Sequence, residues 1–128
     1  MFTLLFFSSF LIGITQQPNP PLERYRWKQR VLLVFAPAET AKAFSEQKTI
    51  FRQHETGFRE RELVVLDLLP GGKNTEALRR QFGVKPQEFT VILIGKDGGE
   101  KLRRPAPVAA KELFDLIDSM PMRQRERQ

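Results

Sequence analysis

Apolar residues fall into short runs of strand type, separated by stretches of helical period. Val31 to Ala36 (VLLVFA) is continuous and stopped by Pro37, the pattern of a strand covered on both faces. From Ala41 to about His54, apolar positions 43, 44, 50 and 51 make a helical stripe with Thr40 as the expected N-cap. Glu55 to Arg61 reads as a charged connection that tucks in Phe58. Leu63 to Leu66 is a second buried-type strand, with Asp67 near its end and Pro70-Gly71-Gly72 breaking the chain. Asn74 is the expected cap of a short helix carrying Leu78 and Phe82 on its inner face, with Gly83 closing it. Phe89 to Ile94 is an apolar strand that runs into Lys96-Asp97-Gly98-Gly99 and returns as the charged strand Glu100 to Arg104. Asp-Gly between extended runs predicts a hairpin with a type I′ turn, whose two central residues both need φ > 0. The charged return strand, stopped by Pro105, reads as a protected sheet edge. From about Ala109 a last helix places Leu113, Leu116, Ile117 and Met120 inward. Pro121 is expected to end it, leaving Arg123 to Gln128 as a solvated tail.

Residues before this alternation have a different character. Phe2 to Ile14 is an apolar run too short for the ~20 residues that span a bilayer, but of the length of a signal-peptide core. Gly13 and Thr15 offer small residues at a cleavage site. Residues 1–15 are therefore read as a signal peptide, or alternatively as an uncleaved membrane anchor. Residues 16–23 form a polar Pro-rich linker, 24–121 the folded domain and 122–128 a basic tail. The expected location is periplasmic or extracellular, with membrane contact only through residues 1–15 if they are retained. At the domain entrance, bases alternate with Tyr25, Trp27 and Val31, the period of an extended segment. The two rings are expected to pack on the core while the bases face water. The alternative is a stacking surface for single-stranded nucleic acid, against which export counts.

Composition narrows the chemistry. A chain of 128 residues supports one domain. No charged side chain lies in residues 1–22, so the net charge of +6 belongs to the folded part and favours anionic partners. There is no cysteine, which excludes disulfides, thiolate metal sites, thiol nucleophiles and dithiol redox chemistry. His54 is the only histidine, so a His-rich metal site is excluded as well.

Strand, helix, strand with short connections implies a right-handed parallel crossover. The full order β-α-β-α-β-β-α resembles the thioredoxin-like core. That resemblance implies an α/β three-layer sandwich with a mixed four-stranded sheet and helices on both faces. The segments RWKQRVLLVFAP, ELVVLDL, LRRQFGV, FTVILIGKDGGEKLR and ELFDLIDSMPMR are similar to a thioredoxin-like domain of unknown function. This domain occurs alone in small exported bacterial proteins and as a module in animal sushi-repeat and matrix proteins. Where the thioredoxin-like family carries its two thiols, this chain has about Thr40 and Ala43. Where that family places a cis-proline, it has Glu88-Phe89-Thr90. The resemblance implies a fold and an extracytoplasmic tendency, with no catalytic residue, cofactor or metal to carry over.

Two groups of residues stand as candidates for binding. In open α/β sheets, ligands bind beyond the carboxyl ends of the parallel strands, and that rim contains Glu39, Thr40, Asp67 and Phe89. The carboxylates of Glu39 and Asp67 would carry acid/base chemistry if this were a cysteine-independent enzyme. The second group is a basic cluster, Arg79, Arg80, Lys101, Arg103 and Arg104, suited to a polyanion. The expected function is an exported, non-catalytic binding or interaction module whose partner is a protein or an anionic envelope polymer.

Overall fold

The computed structural model describes residues 21–128, so the apolar stretch at 1–15 and most of the linker lie outside the described residues. Four strands form one sheet in the order β2-β1-β3-β4: β1 Arg30–Phe35, β2 Leu63–Leu68, β3 Thr90–Ile94 and β4 Glu100–Arg104. The central strand β1 runs parallel to β2, from Arg30 opposite Leu63 to Phe35 opposite Leu68. On its other side it runs antiparallel to β3, and β3 pairs antiparallel with β4.

The side-chain period of two divides β1 between two cores. Leu32, Val34 and Ala36 face Phe44 of α1 (Lys42–Gln53), Phe58 of α2 (Glu55–Glu60), and Leu113 and Ile117 of α4 (Ala110–Asp118). Val31, Leu33 and Phe35 face Leu78 of α3 (Thr75–Phe82), with Leu22 and Tyr25 alongside. Helices on both faces explain why β1 is apolar without alternation. Gln47 is one of the polar side chains buried among these layers. Fully buried, it donates to the carbonyl of Val108 at 3.2 Å and accepts that residue's N–H at 2.7 Å, tying α1 to the lead-in of α4.

Several local expectations are corrected. The segment expected as a charged connection is the helix α2, and Phe58 is indeed buried beneath it. Gly57 permits the approach: a Cβ there would stand 2.6 Å from the Phe114 ring. Thr40 is not the cap of α1; a turn closed by the Ala41 N–H on the Ala38 carbonyl puts Ala41 there, with no side-chain capping bond. Asn74 does hold the cap position of α3. Its backbone (φ −117°, ψ 5°) is not extended, and its side chain makes no capping bond.

The hairpin turn also differs in type. Only Gly98 has positive φ (85°); the Gly98 N–H reaches the Gly95 carbonyl at 3.0 Å, and the Gly95 N–H reaches that of Gly99 at 2.9 Å. This is a three-residue loop with glycine in the left-handed place, so Asp97 escapes the strain that a type I′ turn would impose. Lys101 is the extra residue of a bulge, since Leu93 pairs with Leu102 while Ile94 pairs with Glu100. At the other end of the chain, Pro121 opens a helix rather than leaving a solvated tail. It is the first residue of α5, Pro121–Glu126, a place where its missing N–H costs nothing.

Candidate functional site

The rim residues are placed as the topology requires, but they are not joined. Glu39 and Thr40 are exposed in the connection from β1 to α1. Asp67 projects toward α1, where the Lys48 ammonium holds it at 2.8 Å. Phe89 is half-buried against the α1/α2/α4 core. Among the described residues no hydrogen bond or ion pair links Glu39 to Asp67.

The basic cluster is distributed differently from its appearance in the sequence. Arg79 is turned inward: its guanidinium donates to the carbonyls of Ala36 (2.9 Å) and Lys85 (2.8 Å) and lies over the Phe35 ring. Arg80 is exposed. The others have carboxylate partners: Lys101 with Asp97 at 2.8 Å, Arg103 with Glu100 at 2.6 Å and Arg104 with Glu112 at 3.0 Å. Helix position explains Arg79, one residue after Leu78 and thus still on the buried flank of a short helix.

Polar structure concentrates at the opposite end of the sheet, where β1 begins and the β3–β4 turn lies. Its hub is Lys96. The Lys96 carbonyl accepts the Trp27 N–H at 2.6 Å, and its ammonium meets Glu62 at 3.3 Å and Glu126 of α5. Arg30, 1% exposed, grips the same Glu126 carboxylate with both terminal nitrogens, at 3.2 and 3.3 Å, and donates to the Arg61 carbonyl at 2.8 Å. Among the described residues, Trp27 (φ 65°) and Glu62 (φ 48°) are the two non-glycine residues in the left-handed region. Both contact Lys96. Such conformations cost of order 1–3 kcal/mol each and persist where the surroundings over-determine them, often at functional sites.

Trp27 did not follow the packing expected of it. The entrance is not extended: a 3-10 turn at Glu23–Tyr25 half-buries Tyr25, and the left-handed Trp27 then throws its ring outward, 62% exposed. The Arg26 guanidinium lies 5.5 Å from the indole centre. Two cavities flank the turn. One, of about 260 Å³, is lined by Tyr25, Arg26, Gln29 and Gly98; the other, of about 340 Å³, lies between the turn and α5.

A second ion cluster pins α5. Arg61 grips Asp118 at 3.0 and 2.9 Å, and Arg123 of α5 adds a bond to the same carboxylate at 3.2 Å. The Arg61 hydrogen bond, reinforced by Arg123, holds the Asp118 carboxyl below its ordinary value. Burial pushes Glu126 upward, but hydrogen bonds from Lys96 and Arg30 outweigh it, and the net shift is also downward. A depressed carboxyl pKa contributes stability above the unfolded value and loses it as pH falls through the folded one. With ordinary values of 4.5 and 3.8 as the upper limits of that window, α5 should loosen only in acid. Amide protection at residues 124–127, corrected for intrinsic exchange, is expected to drop about tenfold between about pH 6 and about pH 3 while β1 stays protected. Equal protection at both values would show that the carboxylates do not hold this helix.

A mixed sheet in this order, with helices on both faces and no cysteine anywhere in the chain, defines a thioredoxin-like protein without thiol chemistry. The structure is similar to the reduced 2-Cys peroxiredoxin of Plasmodium vivax, with TM-score 0.66, 14% identity, and coverage of 81% of this chain and 72% of that one. It is similar also to thioredoxin peroxidase I of Plasmodium yoelii (TM-score 0.63, 17% identity, 81% and 79% covered). At these identities the likeness carries the fold alone. Residues 21–126 match the family described as "Domain of unknown function (DUF4174)", and the chain belongs to that family. Among curated relatives, coiled-coil domain-containing protein 80 of Danio rerio is 28% identical and sushi repeat-containing protein SRPX2 of Xenopus laevis 22% identical, each over 82% of this chain. The chain spans only 15% and 26% of their lengths.

Proposed function

We propose that this is an exported, non-catalytic recognition module whose contact surface is the Trp27 corner and whose partner presents negative charge. The observation that carries the reading is the exposed indole of Trp27, carried on a strained backbone whose N–H is hydrogen-bonded to the carbonyl of the hub residue Lys96. Arg24, Arg26 and Lys28 surround it, exposed and without a carboxylate partner among the described residues. A solvated tryptophan flanked by uncommitted bases suits a surface that gains both stacking area and charge when covered. Arg103 and Arg104, by contrast, already spend much of their charge on Glu100 and Glu112. The apolar stretch at 2–14 supports export, a location in which anionic envelope polymers and protein surfaces are the available partners.

Retention on a sulfated-polysaccharide column tests this. Trp27→Ala combined with Arg24→Glu, Arg26→Glu and Lys28→Glu is expected to lower the eluting salt concentration about twofold. Arg103→Glu with Arg104→Glu should lower it less. Equal loss from both sets would transfer the surface to the edge strand, and no loss from the first set rejects the proposal. N-terminal sequencing from cell fractions checks the export.

A further inference from the structure

We infer that the cavity between the β3–β4 turn and α5 is a binding site for an amphiphilic carboxylate, a single carboxylate on an apolar body. The chain's own Glu126 is paired with the two buried cations, Arg30 and Lys96, that line the cavity's polar end. The inference shares only Lys96 with the Trp27 corner, using its ammonium where the corner uses its carbonyl, and it is tested separately. The cavity measures about 340 Å³, within the range of small-molecule sites. Leu116, Met120 and Met122 supply its apolar wall, and methionine adapts to irregular ligands. Its polar end carries more cations than anions: Arg30, Lys96, Lys101 and Arg125 line it, against the one carboxylate of Asp97.

The charges show what the site reads. Arg30 and Lys96 are both more than nine-tenths buried, and together they clasp one carboxylate in a two-pronged arrangement on the arginine with a third donor on the lysine. That is a planar carboxylate receptor, and Arg30 retains a buried Nε without a partner. Its present occupant arrives on α5, a helix of six residues with no buried side chain, joined to the domain through ion pairs. Of the lining cations, Lys101 is matched by Asp97, whereas Arg125 is exposed and has no carboxylate partner among the described residues. A ligand carboxylate can therefore displace Glu126 from Arg30 and Lys96 while its apolar body lies along Leu116, Met120 and Met122. Arg123 still binds Asp118 in that state and keeps α5 near.

The test is a titration of the full chain with dodecanoate below its micelle concentration, read at the backbone amides of Gly95, Lys96, Lys101 and Met122 so that association with residues 1–15 does not count. Saturable shifts at these amides are expected, and dodecyltrimethylammonium should not reproduce them. Glu126→Gln removes the internal competitor and should tighten dodecanoate about tenfold, because the open site no longer has to be freed. Arg125→Glu, an exposed change that leaves the fold intact, should weaken it about fivefold. Three results would each overturn the inference. They are amide shifts that do not saturate, equal binding of the cationic amphiphile, and a Glu126→Gln affinity that is unchanged or lower.

Discussion

Phe58→Ala is expected to destabilise the domain by about 3–5 kcal/mol, the range for removing a fully buried phenyl ring from a core that cannot collapse around the gap. The ring is 1% exposed and meets Phe51 and Phe114 edge-on, at centroid separations of 5.2 and 5.4 Å. These three rings lock α1, α2 and α4 to one another over one face of the sheet, so the loss should appear as a cooperative shift of the whole urea transition. Phe114 also lies beneath the Arg61 guanidinium, 4.0 Å away, and thereby connects this aromatic cluster to the ion pairs that hold α5. A loss below about 1 kcal/mol would mean that α2 packs only as a surface loop would.

Arg79→Leu is expected to cost about 2–4 kcal/mol in the same measurement, whereas Arg80→Leu should stay within about 0.5 kcal/mol. The leucine keeps much of the apolar bulk but removes the donors to the Ala36 and Lys85 carbonyls, and the former is buried where β1 ends. Hydrogen bonds from a charged group contribute about 1.5–3 kcal/mol each, and an abandoned buried carbonyl keeps its desolvation penalty. Adjacent arginines with such unequal effects would show that Arg79 is a structural clamp between α3 and the sheet and does not belong to a surface patch. Equal, small effects would return it to the surface.

The contrast between these arginines shows what a linear reading can and cannot carry. Periodicity identified the helix that holds Arg79 and the inner pair Leu78 and Phe82, because those positions repeat locally. It could not tell that one turn of such a short helix brings the Arg79 side chain under Phe35, since that depends on where β1 lies. Trp27 failed for a related reason: alternation implied an extended entrance, and a 3-10 turn followed by a left-handed residue reversed the direction of its ring. The hairpin was legible in Asp97-Gly98, though the loop contains one more residue than the expected turn and only Gly98 takes positive φ. Glu39, Thr40, Asp67 and Phe89 lie near the ends of the elements predicted to carry them. Yet Asp67 already has Lys48 as a partner, a contact across the β-α-β unit that no local pattern announces.

By itself the sequence settles the alternation of strands and helices, the double-faced burial of β1, the charged edge of β4 and the lack of any thiol. Each follows from composition or from a repeat of two or about 3.6 residues, which nearest neighbours along the chain impose. Only the tertiary structure decides that Arg30, the first residue of the central strand, is buried and finds Glu126, 96 residues away, and that Lys96 draws Trp27, Glu62 and α5 to one end of the sheet. Pairing between distant charges leaves no period in a sequence. It depends on which surfaces the packed layers bring within a few ångströms, and on the low-dielectric interior that makes a buried cation need its carboxylate.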